Sequence, residues 1–300
     1  MTPTTRRRFL AAGVLGGTAA AGATVFELVD HGVLPGKSVL DQLDGACDVP
    51  HKETFRTAGP TVGGGFYSQA RNTQVAYRIA YPPGHGPGDR LPLIIALYGN
   101  GGNVNSNYGG PDLAQALSGV APNGAAIPPM AFVEADGGSH LYWNRHPGDD
   151  PLTMLADELV PLCRKKGLGI EKIGVTGISA GGYGSLLLTE EHPHLINACA
   201  AISPAIWTSY NQARAVNPTA YANAAAFADA DVVTHAARLQ GIPVRIAIGN
   251  DDPFRPGTIA LLPHLPSSAH VYFGPGCHTG PFFGQQQLLS LQFLGKHLTV

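Results

Sequence analysis

The chain has 300 residues, 44% of them hydrophobic and 13% charged, with 39 Gly and 25 Pro. That balance describes a loop-rich globular protein able to bury a large core and excludes a disordered one. A formal net charge of -2, with only the short basic run Arg164-Lys165-Lys166 beyond the first residues, leaves no extended footprint for phosphate backbones and argues against nucleic acid as a partner.

At the N-terminus, Arg6-Arg7-Arg8 precedes an uncharged Ala/Gly/Val/Leu stretch that reaches Phe26 before the first acid, Glu27. Residues 1–33 read as an export signal of the twin-arginine type, with Ala21-Gly22-Ala23 as a small-x-small cleavage site. The other reading is a retained membrane anchor. Its apolar run of about 16 residues is Gly- and Ala-rich and falls short of the roughly 20 that span a bilayer. The expected location is therefore outside the cell or in its envelope, with membrane association if the signal stays on. Residues 34–60 carry scattered Pro and Gly and read as an extended lead-in, and 61–300 as one catalytic domain.

From residue 75 the text changes. Residues 75–80 alternate apolar and polar as a half-exposed strand does, and Tyr81-Pro82-Pro83-Gly84 ends it. Residues 93–97, 130–133, 173–176, 198–202, 244–248 and 270–273 are short, nearly continuous apolar runs that suit strands buried on both faces. Between them, residues 151–166 place Leu152, Leu155, Leu159 and Leu162 on one helical face. Residues 180–191, 231–240 and 281–297 read as further helices, and the Ala-rich piece 220–230 as helix or loop in an insertion. Alternating strands and helices predict an α/β fold with a mainly parallel central sheet covered on both faces.

Four cysteines, Cys47, Cys163, Cys199 and Cys277, form no Cys-x-x-Cys pair and have no His at zinc-ligand spacing, which argues against a zinc site. Neither a metal nor a cofactor is expected. Cys163 and Cys199 fall in a predicted helix and a buried strand, where Cys packs as a small hydrophobe, so the pair to test for a disulfide is Cys47 with Cys277.

The strongest local signal is the apolar strand that runs into Gly177-Ile178-Ser179-Ala180-Gly181 and then into a helix. A serine on such a sharp turn projects its Oγ clear of the sheet, flanking small residues prevent clashes, and the following helix aims its first amides at developing negative charge. Serine needs a base within hydrogen-bond reach, itself oriented by a carboxylate. Two acids, Asp251 and Asp252, lie just past the 244–248 strand, and His278 lies just past the next one, in a Gly/Pro loop before the last helix. Asp252 is favoured over Asp251 because it stands in Gly-x-x-Asp-x-Phe; Asp136, after an earlier strand, is a third candidate. Of twelve histidines, His278 alone has this position; His140, His146, His235 and His264 do not. An oxyanion hole needs two backbone N–H groups, assigned to Ala180 and to Asn100 in the Gly-rich loop after residue 97.

These segments resemble the family of α/β hydrolases named "putative esterase", which includes S-formylglutathione hydrolases, feruloyl and acetyl-xylan esterases, and mycolyltransferases. The resemblance spans roughly residues 75–298. It rests on Gly177-Ile178-Ser179-Ala180-Gly181-Gly182-Tyr183-Gly184, on Gly249-Asn250-Asp251-Asp252-Pro253-Phe254 and on Glu158-Leu159-Val160-Pro161, where Glu158 is structural. The family's His or Asp before the oxyanion-loop glycine is Tyr98 here. The resemblance implies an α/β-hydrolase fold and a serine esterase acting through Ser179, Asp252 and His278. Tyr98, Trp143 and Trp207 are candidate substrate contacts, since their loops follow core strands at the edge where ligands bind in such sheets. The substrate would be a small-molecule or glycan ester. Two other readings stay open: an acyltransferase placing acyl groups on an envelope sugar, and a non-catalytic envelope or glycan-binding protein on the same scaffold.

Overall fold

The computed structural model describes residues 47–49, 54–106, 113–120 and 124–299. The expected export signal, its expected cleavage site and most of the expected lead-in lie outside the described residues.

The elements in chain order are β1 (Thr54–Phe55), β2 (Thr61–Ser68), β3 (Thr73–Ala80), β4 (Pro92–Leu97), α1 (Leu113–Leu117), β5 (Gly119–Val120) and β6 (Ala131–Ala135), then α2 (151–165), β7 (Gly169–Ile178), α3 (Ala180–Glu191) and β8 (Ile196–Ile202). An insertion holding α4 (Tyr210–Val216) and α5 (Ala224–Asp229) leads to β9 (Val244–Gly249), α6 (Arg255–Leu261), β10 (His270–Gly274) and α7 (Gly280–Leu298). Eight strands form one sheet in the order β10-β9-β8-β7-β4-β6-β3-β2, and β1 pairs with β5 in a separate ribbon. From β6 to β10 the pairings are parallel, while β2 and β3 are antiparallel to their neighbours. This is the α/β-hydrolase arrangement, mainly parallel and clothed by helices.

Strand alternation divides the core. Along β4, Leu93, Ile95 and Leu97 face a cluster built with α2 and α3, while Ile94 and Ala96 face one built with α7 and α1. Both faces of the central strands are dry, which explains their continuous apolar runs. Helix α3 is buried along almost its whole length, lying between the sheet and the insertion.

The structure departs from expectation in four places, one of them β10, which is expected to be buried on both faces but lies at the sheet edge with its residues before Gly274 exposed or half-buried. Strand β2 pairs with β3 over its eight residues although Gly63-Gly64-Gly65 sits at its centre. As an exposed edge strand it has no apolar face to announce it. Residues 231–240 form turns ending in a 3₁₀ helix at Ala236–Leu239 instead of a full helix. Helix α2 passes through a π-helical segment at Met154–Leu159, where the Val160 N–H bonds Leu155 O. Pro161 supplies no N–H to the preceding turn, and the wider turn absorbs that loss. The expected disulfide joins Cys47 to Cys277, and Cys163 and Cys199 are buried free thiols whose pKa burial pushes up to about 12.

Candidate active site

Ser179 sits between β7 and α3 with φ 55° and ψ -121°, a left-handed backbone that an L-residue holds only when its surroundings enforce it. Those surroundings are visible. The Ser179 N–H donates to Ile202 O at 3.0 Å, and its carbonyl accepts from Tyr183 and Ala205, each at 3.0 Å. A Cβ at Gly177 would come within 2.3 Å of Gly181 O, and one at Gly181 within 1.9 Å of Leu97 O. Only glycine permits that approach, so the turn is locked by backbone contact on both sides.

The imidazole of His278 bridges two partners: Nε2 lies 2.8 Å from Ser179 Oγ and Nδ1 lies 2.9 Å from Asp252 Oδ2. Asp252 is 4% exposed, and its second oxygen accepts from the Phe254 N–H at 2.9 Å. Both oxygens of this buried side chain are therefore hydrogen-bonded, as burial of a polar group requires. With Oδ2 as acceptor, His278 carries its proton on Nδ1, which leaves the Nε2 lone pair facing the serine hydroxyl. The three residues come from the carboxyl ends of β7, β9 and β10. The His278 ring is held between Phe254 and Phe283, with centroids 5.1 and 5.0 Å away, and its neighbour Cys277 is tethered to Cys47.

Asn100 lies in the loop after β4. That loop is braced by Gly101 N–H to Ser139 O at 2.6 Å, Gly102 N–H to Gly99 O at 3.0 Å, and Val104 N–H to Asp136 Oδ1 at 2.6 Å. Ala180 opens α3, where first-turn amides have no intrahelical acceptor. Among the described residues, neither the Asn100 nor the Ala180 N–H has a hydrogen-bond acceptor.

Other candidates fall elsewhere. Asp136 holds the Asn100 loop and not the imidazole, and Asp252, not Asp251, contacts His278. Tyr98 and Trp143 are core residues, correcting their reading as substrate contacts. They are 3% and 2% exposed. Tyr98 OH accepts from the Gly137 N–H at 2.7 Å, and Trp143 Nε1 donates to Tyr98 O at 3.1 Å. Their rings meet at a tilt of 52° with centroids 4.8 Å apart, and Trp143 fills the space left by Gly137 and Gly184. Trp207 differs: half-buried, it meets Phe254 edge-on at 4.9 Å, and Phe254 in turn meets the His278 ring. Glu158 is structural, its Oε1 accepting from the Gln69 and Ala70 N–H groups.

Sequence reasoning missed four side chains. Arg71 is buried, pairs in bidentate fashion with Asp149 at 2.7 and 2.9 Å, and donates to Asp136 O. It thereby ties the β2–β3 turn to the brace of the Asn100 loop. Asn217, from the insertion, donates through Nδ2 to Asn100 Oδ1 at 3.1 Å. Phe254 and Phe283 flank the imidazole. For Arg71 and Asn217 no local sequence pattern exists, because their partners are distant in the chain.

Residues 68–260 match the family described as "Putative esterase"; this range contains Ser179 and Asp252, and His278 lies beyond it. No curated protein matches the chain. Among solved structures it is similar to a ferulic acid esterase, with TM-score 0.66 and 17% identity over 80% of this chain and 99% of that one. It is similar also to an S-formylglutathione hydrolase from Agrobacterium tumefaciens, with TM-score 0.63 and 15% identity over 82% and 98%. A fluorophosphonate-binding serine hydrolase of Staphylococcus aureus gives TM-score 0.62 and 11% identity over 80% and 99%. At such identities the structures speak for the fold, while the family match covers more than half of the chain. The chain belongs to this esterase family and is a serine hydrolase of carboxylic esters.

Proposed function

We propose that the chain is an exported esterase whose nucleophile is Ser179, with His278 as general base and acid, Asp252 as its orienting carboxylate, and the Asn100 and Ala180 amides as oxyanion donors. The observation that carries this reading is the imidazole of His278 hydrogen-bonded at once to Ser179 Oγ and Asp252 Oδ2. His278 Nε2 takes the hydroxyl proton as Oγ attacks the ester carbonyl. The oxyanion lies toward the two amides, and Asp252 stabilises the imidazolium. On collapse, the Nε2 proton passes to the departing alkoxide, which leaves as the alcohol. Water then gives a proton to His278 as its oxygen attacks the acyl carbon, and the serine departs with that proton restored.

Ser179→Ala is expected to abolish turnover of a p-nitrophenyl ester and labelling by a fluorophosphonate; labelling at the wild-type level would overturn the assignment. A panel of methyl ferulate, S-formylglutathione and alkyl esters of graded length addresses the acyl group. Running it with and without trehalose separates the acyl acceptors: free acid alone supports hydrolysis, and acylated sugar assigns transfer. Export is supported by the Cys47–Cys277 disulfide, since such bonds persist in oxidising compartments. Replacing Arg6 and Arg7 with Lys is expected to retain the protein inside the cell, and unchanged export would reject the twin-arginine route.

A further inference from the structure

The catalytic residues sit past the carboxyl ends of the strands. At the opposite edge, Arg245 near the start of β9 lies in register with His270 at the start of β10. Arg245 is 9% exposed. Its guanidinium donates to Ser290 Oγ at 2.9 Å and Gln286 Oε1 at 2.6 Å, both neutral oxygens on α7. A buried guanidinium is ordinarily matched by a carboxylate, yet among the described residues none pairs with it. Helix α7 contains no Asp or Glu along its length.

Arg245 lines a groove of about 590 Å³ together with His270, Lys296, Leu289, Phe293 and Pro128, with no acid on its wall. The surrounding field is positive: burial, then Lys296 and His270, holds the His297 imidazole below its ordinary pKa. Burial lowers Arg245 to about 10, so it remains a cation at neutral pH.

We propose that this groove is a second binding site, for a small amphiphilic carboxylate. The carboxylate lies against Arg245 and Lys296, and its apolar body against Leu289, Phe293 and Pro128. The planar guanidinium has N–H groups beyond the two it spends on α7, and it suits a carboxylate better than a point charge would. The apolar wall selects against a bare inorganic anion.

Calorimetric titration of benzoate into the whole protein tests this, with benzyl alcohol and inorganic phosphate as controls and Lys296→Glu and Arg245→Met as variants. The expected result is benzoate binding that weakens by about tenfold in Lys296→Glu and is lost in Arg245→Met, with ester turnover unchanged in Lys296→Glu. Benzyl alcohol and phosphate are expected to bind more weakly than benzoate. Benzoate binding equal in the wild type and Lys296→Glu would place the ligand elsewhere and overturn the proposal, as would no binding at all. Phosphate binding as tightly as benzoate would overturn the amphiphile. Lys296 is exposed, so its variant decides the matter even if Arg245→Met does not fold.

Discussion

Asn217 Nδ2 donates to Asn100 Oδ1 at 3.1 Å, joining the insertion between β8 and β9 to the loop that carries one proposed oxyanion donor. The orientation of the Asn217 amide follows from its other bonds. Its Oδ1 accepts from the Thr219 N–H and hydroxyl, so Nδ2 must face Asn100 and His140 O. The insertion thereby helps set the angle of the Asn100 backbone.

Asn217→Ala removes that tether without touching the reacting atoms. One neutral hydrogen bond contributes about 1 kcal/mol, which corresponds to a fall of roughly fivefold in kcat, with KM little changed because the amide acts on the transition state. Asn217→Asp puts an acceptor and a negative charge there, and a larger fall is expected. Steady-state kinetics on a p-nitrophenyl ester check both; a rise in KM at constant kcat would show that the insertion acts on ground-state binding instead.

Asp252→Asn keeps the shape of the carboxylate and loses its charge. His278 then has no anion to fix the proton on Nδ1 or to stabilise the imidazolium. A loss of about 10³-fold or more in kcat is expected, with melting temperature little altered. Because the Phe254 N–H still finds an oxygen at that position, a collapse in stability would instead mark Asp252 as chiefly a fold residue.

The positions of Ser179, Asp252 and His278 were legible in the sequence because each stands just past a strand that a short apolar run announces, where local pattern and topology coincide; the strands before Ser179 and Asp252 are buried, and the one before His278 is a half-exposed edge. The pairing of Cys47 with Cys277 was legible by elimination, since the other two thiols fall in core elements. Tyr98 and Trp143 were misread because an aromatic beside a strand end has the same local sequence whether it caps a cleft or fills the core beneath it. Strand β2 was hidden by its glycines and exposure. Arg71, Asn217 and the groove at Arg245 depend on contacts between segments far apart in the chain, which no periodicity announces.

The Cys47–Cys277 bond closes a span of 230 residues and ends on the residue before His278. On a chain-entropy account it stabilises the fold by at most roughly 5 kcal/mol. Cys47→Ser with Cys277→Ser is expected to lower the melting temperature and also kcat, because the imidazole loop loses its tether. Thiol counting tests the covalent state directly. The native protein is expected to offer no reactive thiol, the denatured protein two, and the denatured and reduced protein four. Four thiols in unreduced denatured protein would reject the bond.

Glu190, in the last turn of α3, is 2% exposed, and neither carboxyl oxygen has a hydrogen-bond partner among the described residues. Burial pushes its pKa from 4.5 to about 9, with Arg238 opposing the rise and Asp231 and Glu191 adding to it. Between those two values the folded protein holds a proton that the unfolded chain has released, so raising the pH favours unfolding. The slope from this group alone is at most about 1.4 kcal/mol per pH unit. Below 4.5 both states are protonated, and above about 9 both are ionised, so the effect is confined to that window. Glu190→Gln keeps the neutral shape and removes the titration. Its stability advantage over the wild type is expected to grow between about pH 5 and pH 8.5 in chemical denaturation. An advantage that stays constant across that range would show that Glu190 is ionised in the folded protein, with its oxygens satisfied by water or by a residue beyond those described.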